Sequence, residues 1–195
     1  MSRRVTALVA VLALVLVGGA AWWLLRPGDD AVAATEESIA AVTVEVLDIE
    51  PTSYEPEPRA DEPEPLGVVI RWRPDPGRDS HYLQVDVHEQ AAGEDLGGCS
   101  EYYTCDEWEG EDGTFHLSWQ EETPEEDPGI LVFSYVTDGE VRQVVYAGEP
   151  LTGDPRDQDL PRSIDDFERL LTDDRFSTTT TQEMIDTELP GWPES

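Results

Sequence analysis

Several stretches of the chain alternate apolar with polar positions at a period of two, the mark of a strand with one buried face. Leu66, Val68, Ile70 and Trp72 form one such apolar row, with Arg71 and Arg73 on the other parity and a P-D-P-G-R-D turn following. Leu83, Val85 and Val87 alternate with Tyr82, Gln84, Asp86 and His88 between His81 and Gln90, and Phe115, Leu117 and Trp119 repeat the pattern. Val42, Val44 and Val46 do so too, which predicts a first strand from Ala41 to Ile49. Residues Ile130 to Val136 are apolar on both parities and predict a central strand covered on both sides. Thr137-Asp138-Gly139-Glu140 should turn that strand into a hairpin with Val141 to Ala147.

Helical signals are concentrated late in the chain. Ser163 and Asp166 form an S-x-x-D cap, Asp165 and Asp166 suit the positive first turn, and Ile164, Phe167, Leu170 and Leu171 share one face. A weaker helix is expected from about Thr181 to Leu189, stopped by Pro190. Pro51 to Pro65 holds five prolines and five acids and reads as an extended loop. At the other extreme, Val5 to Leu25 is 21 uncharged residues, enough at about 1.5 Å per residue to cross bilayer hydrocarbon of about 30 Å once. Arg3 and Arg4 precede this run, acids follow Arg26, and Trp22 and Trp23 fall at the outer headgroup level, so the N-terminus is expected in the cytoplasm and the rest outside. The alternative is a signal peptide cleaved near Ala33, after Ala31-Val32-Ala33; either way the remainder is exported.

The fold expected from these elements is α+β: an N-terminal transmembrane helix, then an antiparallel β-meander of five to six strands with one or two C-terminal helices on one face. The parts are an anchor or signal peptide at 1–26, an acidic stalk at 27–40, a domain at 41–190 with its Pro/Glu-rich loop at 51–65, and a tail at 191–195.

Charge narrows the function classes. Among 195 residues, 12 are basic, all of them arginine, and 44 are acidic, a formal net charge of -32. A chain so negative, with no basic stripe, argues against nucleic acid and against a grip on anionic headgroups. Self-repulsion among surface carboxylates should make stability rise with ionic strength.

Candidate chemistry lies around the two cysteines. Cys99 and Cys105 sit in a Gly-rich acidic loop, and export places them in an oxidising compartment, so a structural disulfide is expected; a redox pair would more usually be C-x-x-C. Asp106, Glu107, Glu109, Glu111 and Asp112 make an oxygen-rich cluster of the kind calcium prefers, although Asp112 stands where an EF-hand places its turn glycine. Glu121, Glu122, Glu125, Glu126 and Asp127 make a second cluster. Tyr102, Tyr103 and Trp108 form an aromatic patch amid the acids, either a recognition surface for a protein or glycan or a small local core. Trp72 and Trp119 have core parity. His81 lies on a buried parity and His88 and His116 on the opposite one, so a three-histidine metal site is not suggested. His88-Glu89 lacks the second histidine of H-E-x-x-H, since position 92 is alanine, and no nucleophile elbow, phosphate loop or dinucleotide fingerprint occurs. Paired carboxylates arise by chance in so acidic a chain and are poor evidence for hydrolysis.

The arginine-led anchor, the acidic exported domain, the late cysteine pair and the ending RSIDDFERLLTDDRFSTTTT resemble a broad set of actinobacterial membrane-anchored exported proteins. Ser163, Phe167 and Leu170 stand in the corresponding helix, and Thr172-Asp173-Asp174-Arg175-Phe176 is similar to its turn, with Asp174 in place of a proline. The resemblance covers about twenty residues; it implies export and an envelope location, and brings no catalytic residue. The expectation is therefore a single-pass, extracytoplasmic, non-catalytic module that binds an envelope protein or other ligand and needs no cofactor. A calcium-binding domain is second, and a carboxylate-pair hydrolase third.

Overall fold

The computed structural model describes residues 31–56, 65–74, 77, 79–90, 99, 102–123 and 128–193. The anchor expected at 1–26 lies outside them, as does most of the Pro/Glu-rich loop. Among the described residues no helix is long and apolar enough to cross a membrane.

The fold is α+β. In chain order it comprises β1 (Val32–Ala33), α1 (Glu36–Leu47), β2 (Pro51–Pro56), β3 (Leu66–Trp72), β4 (His81–Glu89), β5 (Thr104–Glu109), β6 (Gly113–Gln120), β7 (Ile130–Thr137) and β8 (Glu140–Ala147). A 3-10 turn (Pro155–Asp157), α2 (Ile164–Leu171), β9 (Thr179–Thr180) and α3 (Gln182–Ile185) complete it. Seven strands form one sheet in the order β2-β3-β4-β8-β7-β6-β5, and β1 pairs with β9 in a separate two-stranded clip. Every pairing is antiparallel. The sheet is thus two meanders. The first ends on β4, the chain then reaches the far edge at β5, and the second meander returns until β8 lies beside β4.

The alternating rows expected from the sequence form the inner face. Val68, Ile70 and Trp72 continue into Leu83, Val85 and Val87, then Val144 and Tyr146, then Leu131, Phe133 and Tyr135, then Phe115, Leu117 and Trp119, all buried. The hairpin of β7 and β8 forms as expected, with Val136 opposite Val141. The C-terminal helix α2 also forms from its cap: Ser163 Oγ accepts the Asp166 N–H at 3.2 Å, and the Asp166 carboxylate accepts the Ser163 N–H at 3.0 Å. Its buried residues are Ile164, Phe167, Leu170 and Leu171.

One element differs in kind. Residues 36–47 are a helix, not a strand beginning at Ala41. Thr35 caps it, with Thr35 Oγ1 accepting the Ser38 N–H at 3.1 Å and Ser38 Oγ accepting the Thr35 N–H at 2.9 Å. Glu36 and Glu37 occupy the first turn, where carboxylates are favoured. The helix ends at Asp48, whose φ of 50° lies in the left-handed region. Ile39, Ala40, Val42 and Leu47 are buried, and Thr43, also buried, satisfies its hydroxyl on the Ile39 carbonyl at 2.8 Å. Packing against β3, α2 and α3 therefore outweighs the strand preference of three valines. The expectation of a stalk reaching residue 40 is corrected with it, because β1 and the start of α1 pack into the fold. The expected loop at 51–65 likewise begins as strand β2, which tolerates Pro51 and Pro56 because it is a sheet edge.

The C-terminal segment is tied back by Glu140. Its carboxylate accepts the Ser177 hydroxyl, the Thr178 N–H and the Thr178 hydroxyl, each at 2.8 Å, and the Arg142 Nε–H at 2.7 Å. Arg142 also donates to the Leu171 and Asp173 carbonyls. This knot fixes the strand β9 against which β1 pairs.

Candidate functional site

At the β3 end of the inner face the chain leaves a groove of about 680 Å³, a size in the range of small-ligand clefts. Four segments build it: Asp48, Ile49 and Glu50 from the link between α1 and β2; Trp72, Arg73 and Pro74 from the end of β3; Glu149 from just past β8; and Asp159 to Arg162 ahead of α2. Ile49, Trp72 and Leu160 are buried, while Asp48, Glu50, Arg73 and Asp159 are exposed at the rim. The helix cap and the left-handed residue Asp48 set the first segment, and the cap at Ser163 sets the last.

Arg162 joins these segments. Its Nη2 donates to the Asp48 carbonyl at 2.5 Å and its Nη1 to the Pro161 carbonyl at 2.9 Å. Its guanidinium lies 5.5 Å from the centre of the Trp72 ring, a cation–π arrangement. Two buried donors in this wall, Trp72 Nε1 and Arg162 Nε, have no acceptor among the described residues. An unpaired buried donor costs about 1–3 kcal/mol, so such a pair calls for a physical reason.

Beneath Trp72 lies His81, 2% exposed, with the two rings 5.2 Å apart. Its Nε2 is 3.6 Å from a carboxylate oxygen of Glu149, and its Nδ1 is 2.9 Å from the Tyr146 hydroxyl. The carboxylate favours a proton on Nε2, which leaves Nδ1 to accept the Tyr146 O–H. Burial, reinforced by the Glu149 charge, pushes the Tyr146 hydroxyl well above its ordinary range, so it remains a donor. Gly148 seats this histidine: a Cβ there would stand 2.6 Å from the His81 Cγ. His81 is thus enclosed by aromatic rings and a glycine, suited to holding Glu149 and Trp72 in place.

The residues singled out from the sequence lie elsewhere and do not converge. Cys99 and Cys105 form a disulfide, with Cα atoms 5.8 Å apart, as expected. The acid cluster is not a loop, because Asp106, Glu107 and Glu109 lie on strand β5 and alternate across it. Asp106 opposes Leu117 on the inner face and pairs with Arg156 at 2.6 Å. Glu107 opposes His116 on the outer face and contacts it at 3.2 Å. Glu109 follows on the outer parity, and Glu111 and Asp112 occupy the turn into β6, where the Asp112 N–H bonds the Tyr135 hydroxyl at 3.2 Å. Among the described residues no three His, Cys, Asp or Glu side chains stand close enough to hold a metal ion.

The aromatic patch divides as well. Trp108 stacks on Phe115 at 5.4 Å in the inner-face cluster with Phe133, Tyr103 is half-buried, and Tyr102 is 71% exposed. Trp72 and Trp119 are buried as their parity requires, and His81 lies on the inner face of the sheet while His88 and His116 lie on the outer one.

Compared with protein-family models, curated proteins and solved structures, the chain matches none. The groove residues come from four separated segments. The sequence signals they carry are slight: a W-R-P at a strand end and an arginine directly before a helix cap.

Proposed function

We propose that the protein is a membrane-anchored, extracytoplasmic, non-catalytic binding module, and that the groove at the β3 end is where it takes its ligand. The observation that carries this reading is the open cleft itself, assembled from four separated segments and walled by Arg162, which donates to two carbonyl oxygens, whereas Arg156 near the opposite edge of the sheet pairs with two carboxylates. Export rests on the apolar run Val5 to Leu25 with its leading arginines, and the cysteine bridge suits an oxidising compartment. A purely binding role fits the histidine, which is enclosed and hydrogen-bonded, where a general base needs reach to a substrate.

The test is a photo-crosslinking amino acid at position 73, on the rim, and at position 109, on the opposite edge of the sheet, in the full chain in intact cells. A defined adduct at 73 that is absent at 109 is the expected result. Equal labelling at both positions, or none at 73, sinks the proposal.

A further inference from the structure

Beneath the groove the polar contacts of His81 close into a ring. The Glu149 backbone N–H donates to the Tyr146 oxygen, the Tyr146 O–H donates to His81 Nδ1 at 2.9 Å, and His81 Nε2 lies 3.6 Å from the Glu149 carboxylate. The ring closes with one arrangement of protons, a neutral imidazole whose Nδ1 accepts and whose Nε2 carries the hydrogen. We infer that His81 is a proton-operated latch for the groove wall, holding Trp72 and Glu149 in place while neutral and drawing Glu149 out of the groove when protonated. Its consequence for a ligand rests on the groove being the binding site.

The histidine is 2% exposed, and a Cβ on Gly148 would stand 2.6 Å from its Cγ, which leaves the ring no room to turn over and exchange its nitrogens. Tyr146 keeps its proton throughout the acid range, because burial holds it well above its ordinary value. A proton arriving at Nδ1 therefore meets a second one. The Tyr146 O–H must turn away, and its oxygen then accepts from both the His81 Nδ1–H and the Glu149 N–H. At Nε2 the new charge draws the Glu149 carboxylate, 24% exposed, from 3.6 Å into a charge-assisted hydrogen bond. Glu149 lines the groove, so its wall loses a carboxylate to the interior. Trp72, with its ring centre 5.2 Å from that of His81 and 5.5 Å from the Arg162 guanidinium, then has a cation in each contact.

The charged groups that the surrounding segments bring to this end are Glu149, Arg162 and, exposed at the rim, Asp48, Glu50, Arg73 and Asp159. From α2 the neighbour is apolar, Phe167 against the Tyr146 ring. Glu149 and the rim acids favour the imidazolium, the latter weakly because water and salt screen them. Burial, Arg162 and the lost Tyr146 bond oppose it, and at this depth they prevail, so the latch should open only below the ordinary histidine value of about 6.5.

The test is an NMR titration of the full-length protein in detergent micelles, from neutral pH down to about pH 4.5. It follows the His81 ring nitrogens, the Trp72 indole N–H and the Glu149 carboxyl carbon, assigned by their loss in His81→Gln, Trp72→Phe and Glu149→Gln. At neutral pH His81 should show the tautomer protonated on Nε2, and in acid all three signals should share one midpoint. Glu149→Gln should lower the His81 midpoint by roughly half a pH unit or more, and Asp159→Asn, the loss of an exposed rim charge, by clearly less. Unchanged Phe115 ring resonances would show that both variants keep the fold. The latch is overturned by the opposite tautomer, by a His81 that never titrates, by Trp72 or Glu149 signals that ignore its midpoint, or by equal effects of the two variants. Photo-crosslinking at position 73, repeated at about pH 7.5 and about pH 5.5, ties the latch to the ligand. Adduct yields should differ between the two, and equal yields would overturn the latch as a gate. No adduct at either pH, with the ring titrating as expected, would leave the latch standing and remove the binding-module reading.

Discussion

The inner face of the sheet holds a tryptophan with an arginine over it twice, once at each end, and the two pairs are finished differently. At the β5 end Arg156 lies 5.7 Å from the centre of the Trp108 ring and is saturated by acid: it pairs with Asp106 and with Asp154, each at 2.6 Å. Those hydrogen bonds hold the Asp106 and Asp154 carboxyls below the usual carboxylate range. At the β3 end Arg162 lies over Trp72 but meets carbonyls, and among the described residues its Nε–H and the Trp72 N–H, both buried, have no acceptor. The first is a clasp that ties the 3-10 turn to an edge strand. The second forms part of the wall of the open groove. The partners of the two arginines, carboxylates at one end and carbonyls at the other, distinguish the two ends.

The largest effect should appear at the closed end. Phe115 is 2% exposed and stacks with Trp108, Phe133 and Tyr135, the last at 4.4 Å. Phe115→Ala should cost about 3–5 kcal/mol in urea unfolding, mostly as cavity and lost transfer energy. If the two ends are distinct, the His81 ring resonances at the other end, set by its packing on Trp72, should be unchanged in the surviving folded fraction. A loss below about 1 kcal/mol would mean the aromatic cluster is looser than its spacing implies.

Next in size comes a change that strains the open end alone. Gly148→Ala places a methyl group against the His81 ring and should cost about 1–3 kcal/mol, the usual penalty of overpacking. The histidine should move, taking Trp72 with it and reshaping the groove wall, while the β5 clasp is untouched. Unchanged His81 ring resonances in the variant would show that Gly148 does not seat it.

Arg142 is an intermediate case, bonded to one carboxylate and two carbonyls, and it tests whether acid saturation is what makes a clasp. Burial alone would raise the Glu140 carboxyl, but the Thr178 N–H, the Arg142 guanidinium and the Thr178 and Ser177 hydroxyls outweigh it and hold it below its ordinary value. A depressed carboxyl contributes stability that is fully present above its unfolded value of about 4.3 and is lost as pH falls through the lower folded value. Glu140→Gln should cost about 1–3 kcal/mol at neutral pH, because the charge is gone and the amide NH2 must face a donor that a carboxylate oxygen had accepted. It should also flatten the acid limb of the stability curve. The Ala34 amide, bonded to the Thr178 carbonyl at 3.0 Å, should exchange faster in the variant. An acid limb as steep as in the parent would remove Glu140 from this role.

How much of this was legible along the chain depends on whether a signal was local. The rows Leu83-Val85-Val87 and Phe115-Leu117-Trp119, the β7–β8 hairpin and the cap at Ser163 are each written within twenty consecutive residues, and each forms. Helix α1 was misread because Val42, Val44 and Val46 suit either period, while the deciding cap, Thr35 with Ser38, precedes the row and uses serine where a glutamate or aspartate is the more familiar partner. The adjacency of β4 and β8 depends on a long connection that no periodicity encodes. The acid run 106–112 looked like a cluster because sequence proximity ignores strand alternation, which sends Asp106 and Glu107 to opposite faces. The groove was invisible for the complementary reason: Asp48, Trp72, Glu149 and Arg162 become neighbours only once α1, α2 and both meanders are in place.

The smallest effect separates the clasp from the charge around it. With 44 carboxylates against 12 arginines, screening should relieve repulsion, so the melting temperature of the parent should rise with sodium chloride. The clasp works the other way. Arg156 and its two acids are more than a quarter exposed, and their attraction weakens as salt is added. Arg156→Gln should therefore melt slightly below the parent in dilute buffer and gain more from salt. The two curves should converge near 1 M, where the screening length has fallen to about 3 Å. Parallel curves would mean that the guanidinium acts on Trp108 through packing and stacking, which salt does not screen. In that event carboxylate saturation would no longer distinguish the two tryptophan–arginine pairs, and the contrast between the ends would rest on the open groove alone.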